Sequence, residues 1–230
     1  TNKHLQFIAN NMEIINFSEQ NSIINQYLLE LRSKDYQQNA LVFRNNVERI
    51  GELMAYEISK TLDYSVKSVE TPLATAEVST HDDDIVLSTV FRAGLPMHNG
   101  FLKIFDKARN AFVSAYRYYE DKECTRVGIK VEYIATPRLE NTTLIIVDPM
   151  LATGGSLELA YKAFITKGVP KKLIFASIIA SQEGVDNLKK EFPSDDVKLY
   201  VAAIDPILNE RKYIVPGLGD CGDLCYGDKV

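Results

Sequence analysis

The sequence predicts an α/β fold: a mostly parallel, twisted sheet flanked by helices. Two observations carry that prediction. From residue 85 onward, short apolar runs rich in β-branched and aromatic residues alternate with segments of helical spacing, the pattern of βαβ units whose strands are buried on both faces. The residues that follow four of these runs are also chemically distinctive, namely Arg92, Arg117, Asp148 and Asp205. In open α/β sheets ligands sit beyond the carboxyl ends of the strands, so these side chains are expected along one sheet edge.

The elements follow in order. Ile23, Ile24, Tyr27, Leu28 and Leu31 make a short helical stripe that either packs on the main core or serves as an interface arm. Residues 36–59 carry Ala40, Phe43, Val47, Ile50, Met54 and Ile58 at steps of three or four, one apolar face of a helix. Asp35 followed by Gln38 reads as a capping box at its start. Strands are expected over Ile85–Phe91, Ala111–Tyr116, Leu144–Val147, Leu173–Ile179 and Leu199–Ile204, with helices after residues 97, 155 and 184. "HDDD" at 81–84 reads as a solvated turn before a strand. The 230 residues contain no internal repeat, low-complexity tract or Pro/Gly/Ser linker, so residues 1–230 are expected to form one domain.

Composition excludes several classes. With 31 acidic and 26 basic side chains the formal net charge is −5 and no block of Lys or Arg occurs, which argues against nucleic acid, whose phosphates demand a concentrated basic face. Leu173 to Ala180, the longest apolar stretch, is far short of the roughly 20 residues that span a bilayer. The polar N-terminus lacks a signal-peptide core. Cys124, Cys221 and Cys225 are odd in number and form no C-x-x-C pair, so free thiols and a reducing, cytoplasmic location are expected.

The most informative stretch is "LIIVDPMLATGGS", residues 144–156. An apolar run ends in a carboxylate, and Thr153, Gly154, Gly155 and Ser156 then lead into a helical stripe. Such a strand-to-helix turn aims free N–H groups outward at the positive end of the helix dipole, and its small residues let a phosphate approach the backbone. Asp148 would repel that phosphate, so it is expected to serve ribose hydroxyls or a magnesium ion beside it. The guanidinium groups of Arg92 and Arg117 match further phosphate oxygens.

"VDPMLATGGS" (147–156) resembles the 5-phosphoribosyl 1-diphosphate (PRPP) loop of the uracil phosphoribosyltransferases, in the variant where Asp-Pro replaces the paired acids of most phosphoribosyltransferases. "FRAGLPM" (91–97), "SAYR" (114–117) and "YIVPGLGDCGD" (213–223) resemble three further stretches of that family, in the same order, and the likeness runs from about residue 35 to the C-terminus. The resemblance implies a phosphoribosyltransferase fold with an N-terminal helical arm (1–35) and a C-terminal uracil-binding hood (205–230). It implies that Arg92 and Arg117 meet the pyrophosphate, that Asp148, Pro149, Met150, Leu151, Ala152, Thr153, Gly154, Gly155 and Ser156 hold the 5-phosphate and ribose, and that Asp220 lies near the ribose. Uracil is then read by backbone groups at Ile214 and from Gly219 through Asp220 to Cys221. The turn at Pro216–Gly219 can present the N–H, C=O, N–H set complementary to the pyrimidine edge.

The implied reaction converts uracil and PRPP to UMP and pyrophosphate, with magnesium carried by PRPP rather than held by the protein. Arg92, Arg117, Asp148 and Asp220 are the expected catalytic residues, Asp220 assisting loss of the base proton. The family also implies a homodimer or larger homo-oligomer, with GTP as an effector in some relatives.

The sequence departs from the family at Pro96, Cys221 and Leu224, and "VEYIATP" (131–137) has no lysine where the family's mobile loop carries one. Pro96 removes a backbone donor beside the expected pyrophosphate pocket, and Tyr118–Pro137 is expected as a loop closing over the site by other contacts. His4, His81 and His98 are scattered and read as structural. Readings from two other classes compete: an RNA-binding nucleotide sensor, and a non-catalytic interaction module on the same fold.

Overall fold

The computed structural model describes residues 11–119 and 127–228. The central sheet has eight strands. In chain order these are β1 (Glu13–Asn16), then β4 (Ile85–Val90), β5 (Arg109–Tyr119), β6 (Val127–Ala135), β7 (Thr143–Val147), β8 (Met150–Leu151), β9 (Lys172–Ser181) and β10 (Val197–Asp205). The order across the sheet is β1-β10-β9-β7-β4-β5-β6, with β8 also on β9. Every pairing is parallel except that of β5 with β6. The five expected strands are all present. β2 (Tyr64–Glu70) and β3 (Thr75–His81) form a separate antiparallel ribbon that periodicity did not single out.

Helices cover both faces: α1 (Ile23–Arg32), α2 (Lys34–Gln37), α3 (Ala40–Ser59) and α4 (Leu95–Ile104) on one side, α5 (Gly155–Phe164) and α6 (Gln182–Glu191) on the other. Alternation along the strands divides the core accordingly. Leu87 and Ile145 join Phe43, Ile50 and Phe101, whereas Val86, Leu144 and Ile146 join Leu157, Phe164 and Leu188, as period-two side chains in a doubly covered sheet must.

The N-terminal segment differs from a purely helical arm, because β1 adds an edge strand beside β10 in register from Glu13↔Lys198 to Asn16↔Val201. The stripe on α1 packs on the main core through Ile24, Leu28 and Leu31. The expected capping box at Asp35 and Gln38 does not form. Residues 34–37 make the short helix α2, and α3 is instead capped by the Asn39 side chain, which accepts from the N–H groups of Leu41 and Val42. Asn39 has the extended backbone that lets its side chain turn back onto the helix.

Tyr118–Pro137 is also not an open loop over its described part. Residues 118–119 extend β5, and 127–135 form β6 in antiparallel register. Cys124 and His4 lie outside the described residues.

The chain closes with β11 (Ile207–Leu208), β12 (Ile214–Val215) and α7 (Cys221–Tyr226). This hood is tied to the helical layer: the Arg44 guanidinium on α3 donates to the Cys225 carbonyl at 2.6 Å, and Cys221 and Cys225 are buried in the same core as α3.

Candidate active site

The carboxyl ends of β4 and β7 are adjacent in the sheet, and from β4 the chain runs to β5 on one side and later returns as β7 on the other. This switch point leaves a crevice where ligands bind in open α/β sheets. Two loops meet there. A Cβ added at Gly94 would come within 2.0 Å of Thr89 Oγ1 and 3.1 Å of the Val147 carbonyl, so only glycine lets the Arg92 loop lie this close to the end of β7.

The 148–156 loop is held by its carbonyls. Pro149 O accepts from the N–H groups of Ile178 and Ile179 at 3.1 and 3.0 Å. Ala152 O accepts from Ser181 Oγ at 2.5 Å, and Thr153 O accepts from Asn187 Nδ2 at 3.1 Å. Ser181 Oγ in turn accepts from the N–H of Gly184, capping α6. Gly154 sits at φ 86°, a left-handed conformation that favours glycine, and Gly155 opens α5. The first N–H groups of a helix have no partner within it; that of Gly155 reaches Thr153 Oγ1 at 3.5 Å, and Asp148 with residues 150–157 lines a small cleft of about 50 Å³ at this helix start. Small residues are thus needed twice, for the turn itself and for backbone access.

Asp148 stands at the floor of this cleft, 7% exposed. Burial raises its pKa to about 7, opposed only in part by the N–H of Met150, which donates to Oδ1 at 3.2 Å. A buried carboxylate with so few donors is poised to accept hydroxyls or a cation. Among the described residues no group of three or more His, Cys, Asp or Glu side chains is placed to hold a metal ion.

Arg92 follows β4 directly, and its Nη2 donates to Asp223 Oδ1 and to the Gly227 carbonyl, each at 2.7 Å. Its Nε is buried without a hydrogen-bond partner among the described residues. Sequence reasoning missed the Asp223 contact, which joins the Arg92 loop to α7. Arg117 lies on the same edge, on β5 beyond Val113, the last residue paired with β4, and opposite Ile129 of β6. Its side chain lies outside the described ones.

The 213–223 segment, which carries Ile214, Gly219, Asp220 and Cys221, packs against the Arg92 loop: a Cβ added at Gly222 would lie 3.8 Å from Ala93 Cβ and from Arg92 Nε. Ile214 pairs with Leu208, the Val215–Pro216 peptide is cis, and Gly217 and Gly219 take φ 59° and 95°. Asp220 caps α7 by accepting from the Asp223 N–H at 3.0 Å. The Cys221 thiol is pushed up by its hydrogen bond to Cys225, by burial and by the nearby charges of Cys225, Asp148 and Asp220.

Several remaining expectations resolve structurally. Pro96 is the second residue of α4, where its missing N–H would have had no helical partner, so the helix itself loses nothing. His98 is buried against Phe112 with Nε2 2.7 Å from Asn110 Oδ1, and burial lowers its pKa. The acidic run is more than solvated. Asp82 pairs with Lys67 and Asp84 with Arg109, while burial of Asp83 is outweighed by hydrogen bonds from Thr143, the Asp63 N–H and Lys172. A cavity of about 570 Å³ at the opposite end of β4 is lined in part by these groups, away from the strand ends that carry the site. No helix among the described residues is long and apolar enough to cross a membrane.

A family model described as uracil phosphoribosyltransferase matches residues 18–228. A uracil phosphoribosyltransferase of Porphyromonas gingivalis is 52% identical over 219 residues, covering 95% of this chain and all of that protein. One from Pyrococcus furiosus is 38% identical over 215 residues, covering 92% of this chain and 89% of its own. Among solved structures, that of the AQ2163 protein from Aquifex aeolicus superposes with a TM-score of 0.81 at 29% identity, over 94% of this chain and 99% of that one.

Proposed function

Because the chain belongs to the uracil phosphoribosyltransferase family, we propose that it transfers the phosphoribosyl group of PRPP to uracil, giving UMP and pyrophosphate in pyrimidine salvage. The observation that carries this reading is that the Arg92 loop lies both against the end of β7, where the Asp148–Ser156 loop begins, and against Gly222 and Asp223 of the 213–223 segment.

In this reading the backbone of residues 152–156, at the positive end of α5, holds the 5-phosphate. Asp148 accepts the ribose hydroxyls, and their donation favours its charged form. Arg92 and Arg117 bind the pyrophosphate, whose oxygens compete with Asp223 for Arg92. As pyrophosphate departs, C1 gains oxocarbenium character, and the two guanidinium groups stabilise the charge that develops on the leaving oxygens. Magnesium bound with PRPP would supply further neutralisation of charge on the leaving group. Uracil lies against backbone groups of Ile214 and Gly219–Cys221, held in line with C1. Asp220 caps α7 and so also fixes the turn, with the base proton lost to it or to water.

A homo-oligomer fits the β2–β3 ribbon, whose Val66, Val69, Leu73 and Val78 are exposed, since a two-stranded ribbon is marginal without a surface to cover it. Incubation with PRPP, magnesium and uracil, following UMP, tests the function. UMP formation is expected. Its absence together with salt-sensitive RNA binding would establish the sensor reading, and its absence without PRPP binding the non-catalytic one. Running the assay with and without GTP reads the effector.

A further inference from the structure

The 213–223 turn is fastened by three side chains outside it, two of them far from it in sequence. Asp205, at the end of β10 and 5% exposed, accepts the Gly217 N–H on Oδ2 at 2.8 Å. Arg32, the last residue of α1, donates to both carboxylate oxygens of Asp205 at 2.7 and 2.8 Å and to the Gly217 carbonyl at 2.9 Å. Gln37, the last residue of α2, donates through Nε2 to the Leu31 and Leu218 carbonyls, each at 2.7 Å. Both main-chain groups of Gly217 and the carbonyl of Leu218 are thereby occupied. Position 217 admits only glycine, because at φ 59° a Cβ there would meet the Ile214 carbonyl at 2.1 Å.

We infer that Arg32, Gln37 and Asp205 form a clamp that fixes the register of the 213–223 backbone against the pyrimidine edge, so that base affinity and selectivity depend on three residues that do not touch the base. This rests on the reading of that turn as the uracil site. Main-chain recognition has no rotamers to adjust, so its discrimination depends wholly on where the backbone is held. The bidentate geometry explains why arginine stands at position 32: a lysine ammonium satisfies Asp205 but lacks the planar fork that also spans to Gly217. These are positioning residues, and their signature is an effect on the base separate from any effect on PRPP.

The test compares steady-state kinetics of Gln37→Ala, Arg32→Gln and Arg32→Lys with Gly219→Ala, a change inside the turn at φ 95°. Gln37→Ala removes only neutral hydrogen bonds at a half-buried position, so it folds even where an Arg32 variant does not. The clamp predicts that KM for uracil rises about tenfold in Gln37→Ala and Arg32→Gln while KM for PRPP stays within about twofold, the scale of losing one or two hydrogen bonds. Arg32→Lys should recover part of the loss, and the preference for uracil over cytosine should narrow in parallel. If Gly219→Ala raises the uracil KM but Gln37→Ala and Arg32→Gln do not, the clamp is overturned and the turn reading survives. If Gly219→Ala also leaves it unchanged, the uracil-turn reading itself falls. A matching rise in KM for PRPP in the clamp variants would show general loosening and overturn the inference too.

Discussion

Asp148 shows how one residue links stability to ligand binding. Its folded pKa, raised to about 7 from an ordinary 3.8, means that the unfolded chain releases this proton first. Folding stability contributed by the protonated carboxyl is therefore full below about pH 4 and is lost as pH rises toward 7, by roughly 4 kcal/mol in total. Asp148→Asn should abolish this fall, so that urea denaturation at pH 8 shows a more stable ligand-free protein, while PRPP turnover drops by about a hundredfold or more for want of a charged acceptor. A variant no more stable at pH 8, or one with unchanged turnover, would contradict the burial or the role given to this carboxylate. Wild-type affinity for PRPP should rise as pH passes through 7, since only the ionised form accepts both hydroxyls. The presence of Asp148 at a strand end was legible from the sequence. Its raised pKa was not, because it follows from burial.

The 148–156 loop is an element whose shape comes from its neighbours. Gly184, inside α6, would place a Cβ 2.4 Å from the Ala152 carbonyl and 2.9 Å from that of Leu151. Gly184→Ala should therefore push the loop away from its place, lowering the melting temperature and raising KM for PRPP more than KM for uracil. Equal KM values in variant and wild type would show that the loop does not depend on α6. A lone glycine within the helical stretch 182–191 was the available sequence signal, but its partner, the loop thirty residues earlier, could be known only once β9 set α6 against it. The helix starts tell the same story. Gly154 and Gly155 were readable as a strand-to-helix turn, whereas the choice of Asn39 over Asp35 as a cap depended on where α2 ended.

At the scale of the whole molecule, the β2–β3 ribbon leaves the sheet and exposes Leu73 at 98%, which suits association better than isolation. Light scattering on the purified protein should give a mass above one chain, and Leu73→Asp should shift it toward the monomer. An unchanged mass would place the interface elsewhere. The same scale separates what was readable early from what was not. Strand periodicity, the Thr-Gly-Gly-Ser turn and the positions of Arg92 and Asp148 are local, set by alternation and by backbone freedom over a few residues, and the sequence by itself determined them along with the fold class. The Arg32–Asp205 pair, the Arg92–Asp223 contact, the hold of Gln37 on Leu218 and the raised pKa of Asp148 join residues far apart in the chain. Only the tertiary structure decided these, because hydrogen-bond geometry and desolvation exist only once separate segments have packed together.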